Sequence, residues 1–244
     1  MIVWGLLSLS LACLAWHLKG DAAEYQRFKA MTGTADRQRT YYGWVAKSLL
    51  LMAGPVALSL ALLGRFGALA ALPLEFAGLA ALLPTPEGND PGGMMAGVAI
   101  GLLGGLALAV FAARRKASGS KKPRTLGEFD ALVPRNRREV PGALLLSINA
   151  GFSEELFFRL LLPLLIALAT GSAIAGFLVS AVLFGIAHHY QGWVGVLATG
   201  VFGLVFTLIY LVTGSIWLAV ALHAAVDILS LVVRPFATGA LKRG

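Results

Sequence analysis

The run Gly142–Thr170, GALLLSINAGFSEELFFRLLLPLLIALAT, decides how the chain is read. It is long enough to cross a bilayer core of about 30 Å, which a helix spans with about 20 apolar residues. Its centre nevertheless holds Ser153-Glu154-Glu155-Leu156-Phe157-Phe158-Arg159. A charged side chain at mid-bilayer costs at least about 2.5–3.5 kcal/mol on insertion scales, so such groups are rare and usually functional. The rest of the chain establishes that the setting is a membrane. The 244 residues are 58% hydrophobic and only 13% charged, against about 45–50% and about 25% in soluble domains, and mean hydropathy is +0.79.

Disorder is excluded, because it needs low hydrophobicity and high charge. A single cysteine, Cys13, leaves no disulfide framework and no cysteine zinc site. The net charge of +8 would suggest nucleic acid in a soluble chain. Here it reflects topology, since Lys and Arg collect in cytoplasmic loops beside anionic lipid, and no nucleic-acid partner is expected.

Working outward from 142–170, further apolar runs lie at roughly 2–16, 44–64, 67–84, 93–113, 172–189, 192–213 and 215–233. The fold class is all-α: a polytopic transmembrane helix bundle of seven to eight spans. The 17–43 connector carries Lys19, Arg27, Lys29, Arg37 and Arg39. The 114–139 connector carries Arg114, Arg115, Lys116, Lys121, Lys122, Arg124, Arg135, Arg137 and Arg138. Both belong in the cytoplasm by the positive-inside rule, with the tail of Arg234, Lys242 and Arg243. Three spans between them would put the two connectors on opposite sides. The weakest run, 67–84, holds Pro73 and Glu75, so the favoured arrangement is seven spans with that run in the interface or dipping in from outside. Gly97, Gly101 and Gly105 form a small-residue ridge for close helix packing. Trp44, Trp193 and Trp217 read as interfacial anchors and Lys47 as a snorkelling residue.

The remaining ionisable groups fall in two more runs: Phe184-Gly185-Ile186-Ala187-His188-His189 and His223-Ala224-Ala225-Val226-Asp227. Glu155 and Arg159 are four residues apart and can pair, which leaves Glu154 on another face with no local cation. His223 and Asp227 share that spacing, so the carboxylate can fix the imidazole tautomer. Phe184 stands one turn from His188. A carboxylate among imidazoles in an apolar bundle is the setting of a general base acting on water. Glu155–Arg159 also reads as a plain structural ion pair, and His17 and His189 as interfacial residues at span ends. At 1.5 Å rise per residue, Glu154 and His223 come out nearly level. His188 comes out about 10 Å nearer the cytoplasm, a gap that tilt, a kink or a cavity has to close. No H-E-x-x-H, G-x-S-x-G or G-x-G-D motif is present.

E-E-x-x-x-R (Glu154, Glu155, Arg159), F-x-x-x-H (Phe184, His188) and H-x-x-x-D (His223, Asp227), in that order on separate hydrophobic segments, resemble the three motifs of the CPBP family. That group comprises the type II CAAX prenyl endopeptidases and the bacterial Abi and bacteriocin-processing proteins. The resemblance covers about 141–233, with Asp227 where the eukaryotic enzymes often have Asn. It implies an intramembrane endopeptidase in which Glu154 activates water with His188 beside it. His223 and Asp227 would stabilise the oxyanion, and Glu155 and Arg159 would hold the helix. It also divides the chain into N-terminal membrane helices with their basic connector (1–140), a catalytic helix core (141–233) and a cytoplasmic tail (234–244). The sequence leaves metal dependence undecided: the first expectation is no cofactor, and zinc at Glu154, His188 and His223 is the alternative. The expected partners are a membrane-associated peptide or protein and the bilayer itself, in the plasma or inner membrane of a bacterium. Two other readings compete: a transporter or channel using the same groups as a proton relay, and a non-catalytic immunity or scaffold protein.

Overall fold

A computed structural model describes residues 1–83, 130–237 and 241. The 93–113 run with its glycine ridge, and most of the 114–139 connector, lie outside the described residues. All the regular elements described are helical. Helix α1 (Ile2–Leu18) leads into the short α2 (Asp21–Ala30), and α3 (Thr34–Leu63) follows. After α4 (Leu74–Ala80) and the undescribed stretch come α5 (Val140–Glu155), α6 (Leu162–Thr170), α7 (Ala173–Ala187), α8 (Gly192–Thr213), α9 (Ile216–Ile228) and α10 (Arg234–Ala237). Four described segments are long and apolar enough to cross a membrane: Ile2–Ala30, Thr34–Leu63, His189–Thr213 and Ile216–Ala237. The charged α5–α6 unit is also helical throughout.

Proline sets the irregularities. π-Helical segments occupy Leu49–Ala53, Leu156–Leu161 and Leu229–Val233, each just ahead of Pro55, Pro163 or Pro235. Proline lacks an N–H and crowds the carbonyl four residues back. A locally wider turn absorbs both defects, so these helices continue instead of breaking. At the opposite end the tripeptide Thr-Gly-Ser occurs twice. Gly171 (φ 75°) and Gly214 (φ 66°) stop α6 and α8 in the left-handed conformation. Ser172 and Ser215 then cap α7 and α9 by accepting from the N–H groups of Ala175 and Leu218.

The core is built around α5–α6, whose residues from Leu156 to Ala167 are all buried. In the described part of the 67–84 run no helix reaches spanning length. A 3₁₀ turn at Phe66–Leu69 precedes the seven-residue α4, which at 1.5 Å per residue reaches only about 10 Å. Phe76 of α4 is inserted against Phe177 and Tyr210 at 4.8 and 6.3 Å. Trp217 closes that end by donating to the Leu69 carbonyl at 2.8 Å.

The 17–43 connector is not a loop: it contains α2 and the first turns of α3. Polar helix extends this far because Arg37, 2% exposed, is fully engaged. Its Nε donates to Glu139 at 2.9 Å, and its other nitrogens reach the carbonyls of Phe28, Ala131 and Val133. Arg135 adds a second cation to Glu139 at 2.9 Å. The described ends of both basic connectors therefore meet at one end of the bundle. Lys47 bonds Asp21 of α2 at 2.8 Å, while Trp44 donates to Glu24 at 3.0 Å. These contacts fold α2 back onto the bundle.

Candidate active site

Close packing of α5 on α9 begins the site. A Cβ at Gly151 would lie 2.7 Å from the backbone nitrogen of Ala224 and 2.8 Å from the carbonyl oxygen of Val220, so only glycine permits this approach. One turn further along α5, Glu155 faces α9, and its Oε1 accepts from His223 Nδ1 at 2.7 Å. Its other oxygen lies 3.1 Å from Arg159 Nε. Arg159 sits in the π segment that begins immediately after Glu155. Both side chains are essentially excluded from solvent, at 0% and 2% exposure. The guanidinium covers the Phe184 ring at 4.0 Å, a cation–π contact. A Cβ at Gly203 would meet Phe184 at 2.9 Å and Arg159 Nη2 at 3.3 Å.

Glu154 points elsewhere, as its different helix face requires. Its Oε2 lies 3.8 Å from His188 Nε2 and 4.0 Å from His223 Nε2, and this oxygen is buried with no hydrogen-bond partner among the described residues. Asp227 Oδ2 is 3.9 Å from His223 Nε2. Ser48 of α3 bonds Ser153 at 2.5 Å, and Ser153 in turn donates to the Asn149 carbonyl, which fixes the backbone leading into Glu154.

Hydrogen bonds select the tautomers. His188 Nδ1 is 2.9 Å from the Phe184 carbonyl; a carbonyl only accepts, so Nδ1 carries the proton and Nε2 presents its lone pair to Glu154 when neutral. His223 Nδ1 is committed to Glu155, so its Nε2 is the atom offered to Glu154 and Asp227. The carboxylate that fixes the His223 ring is thus Glu155 on α5; Asp227, its neighbour on α9, faces the other nitrogen. The expected depth mismatch of His188 is resolved by a short helix. Helix α7 ends after fifteen residues, about 22 Å at the usual rise, and His188 terminates it inside the bundle level with Glu154.

The structure thus brings Glu154, Glu155, Arg159, Phe184, His188, His223 and Asp227 into one group. His189 is exposed and bonds the Ile186 carbonyl of its own helix. His17 is half-buried, and its Nδ1 has no hydrogen-bond partner among the described residues. Phe206 of α8, stacked on His223 at 5.1 Å and 8°, carried no chemical signal in the sequence beyond its apolar character. Two open hollows of about 330 and 350 Å³ lie around Leu72–Gly214 and Gly64–Leu74, and no residue of this group lines either.

Residues 136–229 match the family model described as type II CAAX prenyl endopeptidase, Rce1-like. This segment is similar to the CPBP family. The similarity supports a CAAX-protease-like intramembrane endopeptidase at the level of the family, and the matched segment contains every residue of the Glu154 group. Curated proteins and solved structures give no match to the chain.

The Rce1-like segment's donor set can be compared with what zinc requires. Carboxylate and imidazole are ligands zinc accepts, at about 2.0–2.2 Å each. Tetrahedral ligands at that distance stand about 3.3–3.4 Å apart. The spacings of 3.8 and 4.0 Å around Glu154 Oε2 are wider, and no group of three or more such side chains among the described residues is arranged as a metal cage. These separations are about half an ångström wider than zinc ligands adopt, and the chemistry below is derived from the side chains alone.

Proposed function

We propose that this protein is a membrane-embedded endopeptidase that hydrolyses peptide bonds of membrane-associated peptides or proteins with water activated by Glu154. The observation that carries the reading is the buried, unpartnered Glu154 Oε2, 3.8 Å from His188 Nε2 and 4.0 Å from His223 Nε2. These separations exceed a direct hydrogen bond and suit a bridging water.

In this reading the water donates one O–H to Glu154 and the other to the lone pair of His188 Nε2. Glu154 removes a proton as the water oxygen attacks the scissile carbonyl carbon. His223, protonated at Nε2, donates to the developing oxyanion, with Asp227 beside it. The tetrahedral intermediate collapses as Glu154 returns its proton to the leaving amine. Glu155 acts through His223: it holds Nδ1–H and so aims Nε2, and Arg159 balances the Glu155 charge. Preorganised donors at an oxyanion commonly lower the barrier by several kcal/mol, and a positioned base contributes about 10²–10⁴-fold. The companion proposals are a seven-span arrangement with the basic end in the cytoplasm and residence in a bacterial plasma or inner membrane.

The decisive experiment is cleavage of a quenched-fluorophore peptide library by the purified full chain in detergent, with Glu154→Gln as the control. Glu154-dependent hydrolysis supports the reading. Ion flux in proteoliposomes that depends on Glu154, without hydrolysis, would favour the relay instead.

A further inference from the structure

Tyr190 lies outside all three motifs yet stands beside the reactive group. It sits in the turn His189–Gln191 that follows α7, and its ring is 6.0 Å from that of His188, inclined at 32°. Tyr190 is half-buried. Its rear is supported by Tyr25 of α2, 3% exposed, at 5.1 Å and 50°. Gln191 Nε2 donates to the Tyr190 hydroxyl at 3.0 Å, which fixes the rim of the ring. Tyr25 in turn is held in place because α2 is clamped at both ends. Lys47 bonds Asp21 at 2.8 Å, and Arg37 covers Phe28 at 4.0 Å while donating to its carbonyl.

A peptide whose scissile carbonyl lies between Glu154 and His223 has neighbouring Cα atoms 3.8 Å apart. In that pose a side chain flanking the scissile bond on the His188 side lies on the side of the Tyr190 ring, whose centre is 6.0 Å from that of His188. Resting on the function proposed above, we infer that Tyr190 is a specificity-determining residue that selects a bulky apolar or aromatic side chain next to the scissile bond, and that Tyr25 is the positioning residue that holds its ring. A flat aromatic wall rewards stacking and apolar contact, and it offers little to glycine or to a charged side chain.

The test compares kcat/KM for paired quenched peptides that carry Phe or Gly at the residue flanking the cleaved bond, using the full chain in detergent. Tyr190→Ala lowers the Phe-over-Gly preference by about two- to tenfold, the range of one aromatic contact. Tyr25→Ala moves the ratio in the same direction, and Tyr25→Phe restores it because the ring provides the support. Melting temperature is recorded for each variant, and Tyr190→Phe, which keeps the ring, guards against misfolding of the alanine variant. An unchanged preference in folded Tyr190→Ala, with cleavage still dependent on Glu154, overturns this inference and leaves the peptidase reading intact. Absence of any Glu154-dependent cleavage by the wild-type chain overturns both.

Discussion

Glu155 Oε1 accepts a 2.7 Å hydrogen bond from Nδ1 of His223, joining the first motif to the third across the α5–α9 contact. The same carboxylate faces Arg159 at 3.1 Å. One buried anion therefore holds both a cation on its own helix and an imidazole on another, and the ring nitrogen left over is the one turned toward Glu154 and Asp227.

Removing that anion leaves a guanidinium buried without a counter-charge. Breaking one partner of a buried ion pair costs about 3–5 kcal/mol. Glu155→Gln is expected to lower the melting temperature in detergent and to abolish cleavage together. A variant as stable as wild type would show that Arg159 does not depend on Glu155.

Glu154 is expected to behave differently, because no described partner hydrogen-bonds its Oε2. Glu154→Gln should reduce kcat by about 10²–10⁴-fold, the contribution of a positioned base, while the melting temperature stays near that of wild type. Single-turnover cleavage by the variant at the wild-type rate would remove Glu154 from the chemistry.

Gly151 touches no reacting group, yet its missing Cβ allows α9 to approach. Overpacking a tight contact costs about 1–3 kcal/mol, so Gly151→Ala should be destabilised by that order. It should also lose activity as the His223–Glu155 bond is pulled apart. Thermal unfolding and kcat/KM measured on the same preparation check both effects.

Acid sensitivity should trace to Glu139 at the basic end, outside the apolar runs. Burial alone would raise its carboxyl, but hydrogen bonds from the side chain and backbone of Arg135 and from Arg37 outweigh burial and hold it below the usual carboxylate range. Its unfolded value is about 4.3. The stabilisation is thus fully present above that pH and is lost as pH falls through the folded value. Wild-type melting temperature should decline on acidification below about pH 5, and Glu139→Gln should start lower and decline less. Parallel curves for the two proteins would exclude this origin.

The zinc question has a direct measurement. Chelator-washed wild-type protein is expected to keep its cleavage rate, with metal content by elemental analysis far below one ion per chain. Loss of activity on washing, restored by added zinc, would reverse that expectation.

Much of the architecture was legible because a bilayer imposes simple rules. Apolar length marked the helices, and the Lys and Arg count grouped the two basic connectors whose described ends meet at Arg37 and Glu139. Pro73 and Glu75 marked the 67–84 run as the weak one, and its described part forms a 3₁₀ turn and the seven-residue α4. The chemistry-bearing side chains were visible because charge in an apolar run is costly and so stands out. The partners of Lys47 were not legible: Asp21 and Glu24 reach it only after α2 folds back.

The sequence by itself determined that this is an all-helical membrane chain with carboxylates and imidazoles on three separate apolar segments, since hydropathy and helical spacing are local properties. Tertiary structure alone decided which groups meet: Glu155 with His223, Glu154 with two imidazoles, Phe206 on His223 and Tyr25 behind Tyr190. Those pairings depend on where α7 stops, on how closely Gly151 lets two helices approach and on the wide turn ahead of Pro163. Distances between helices are set by packing, and no local pattern along the chain records them.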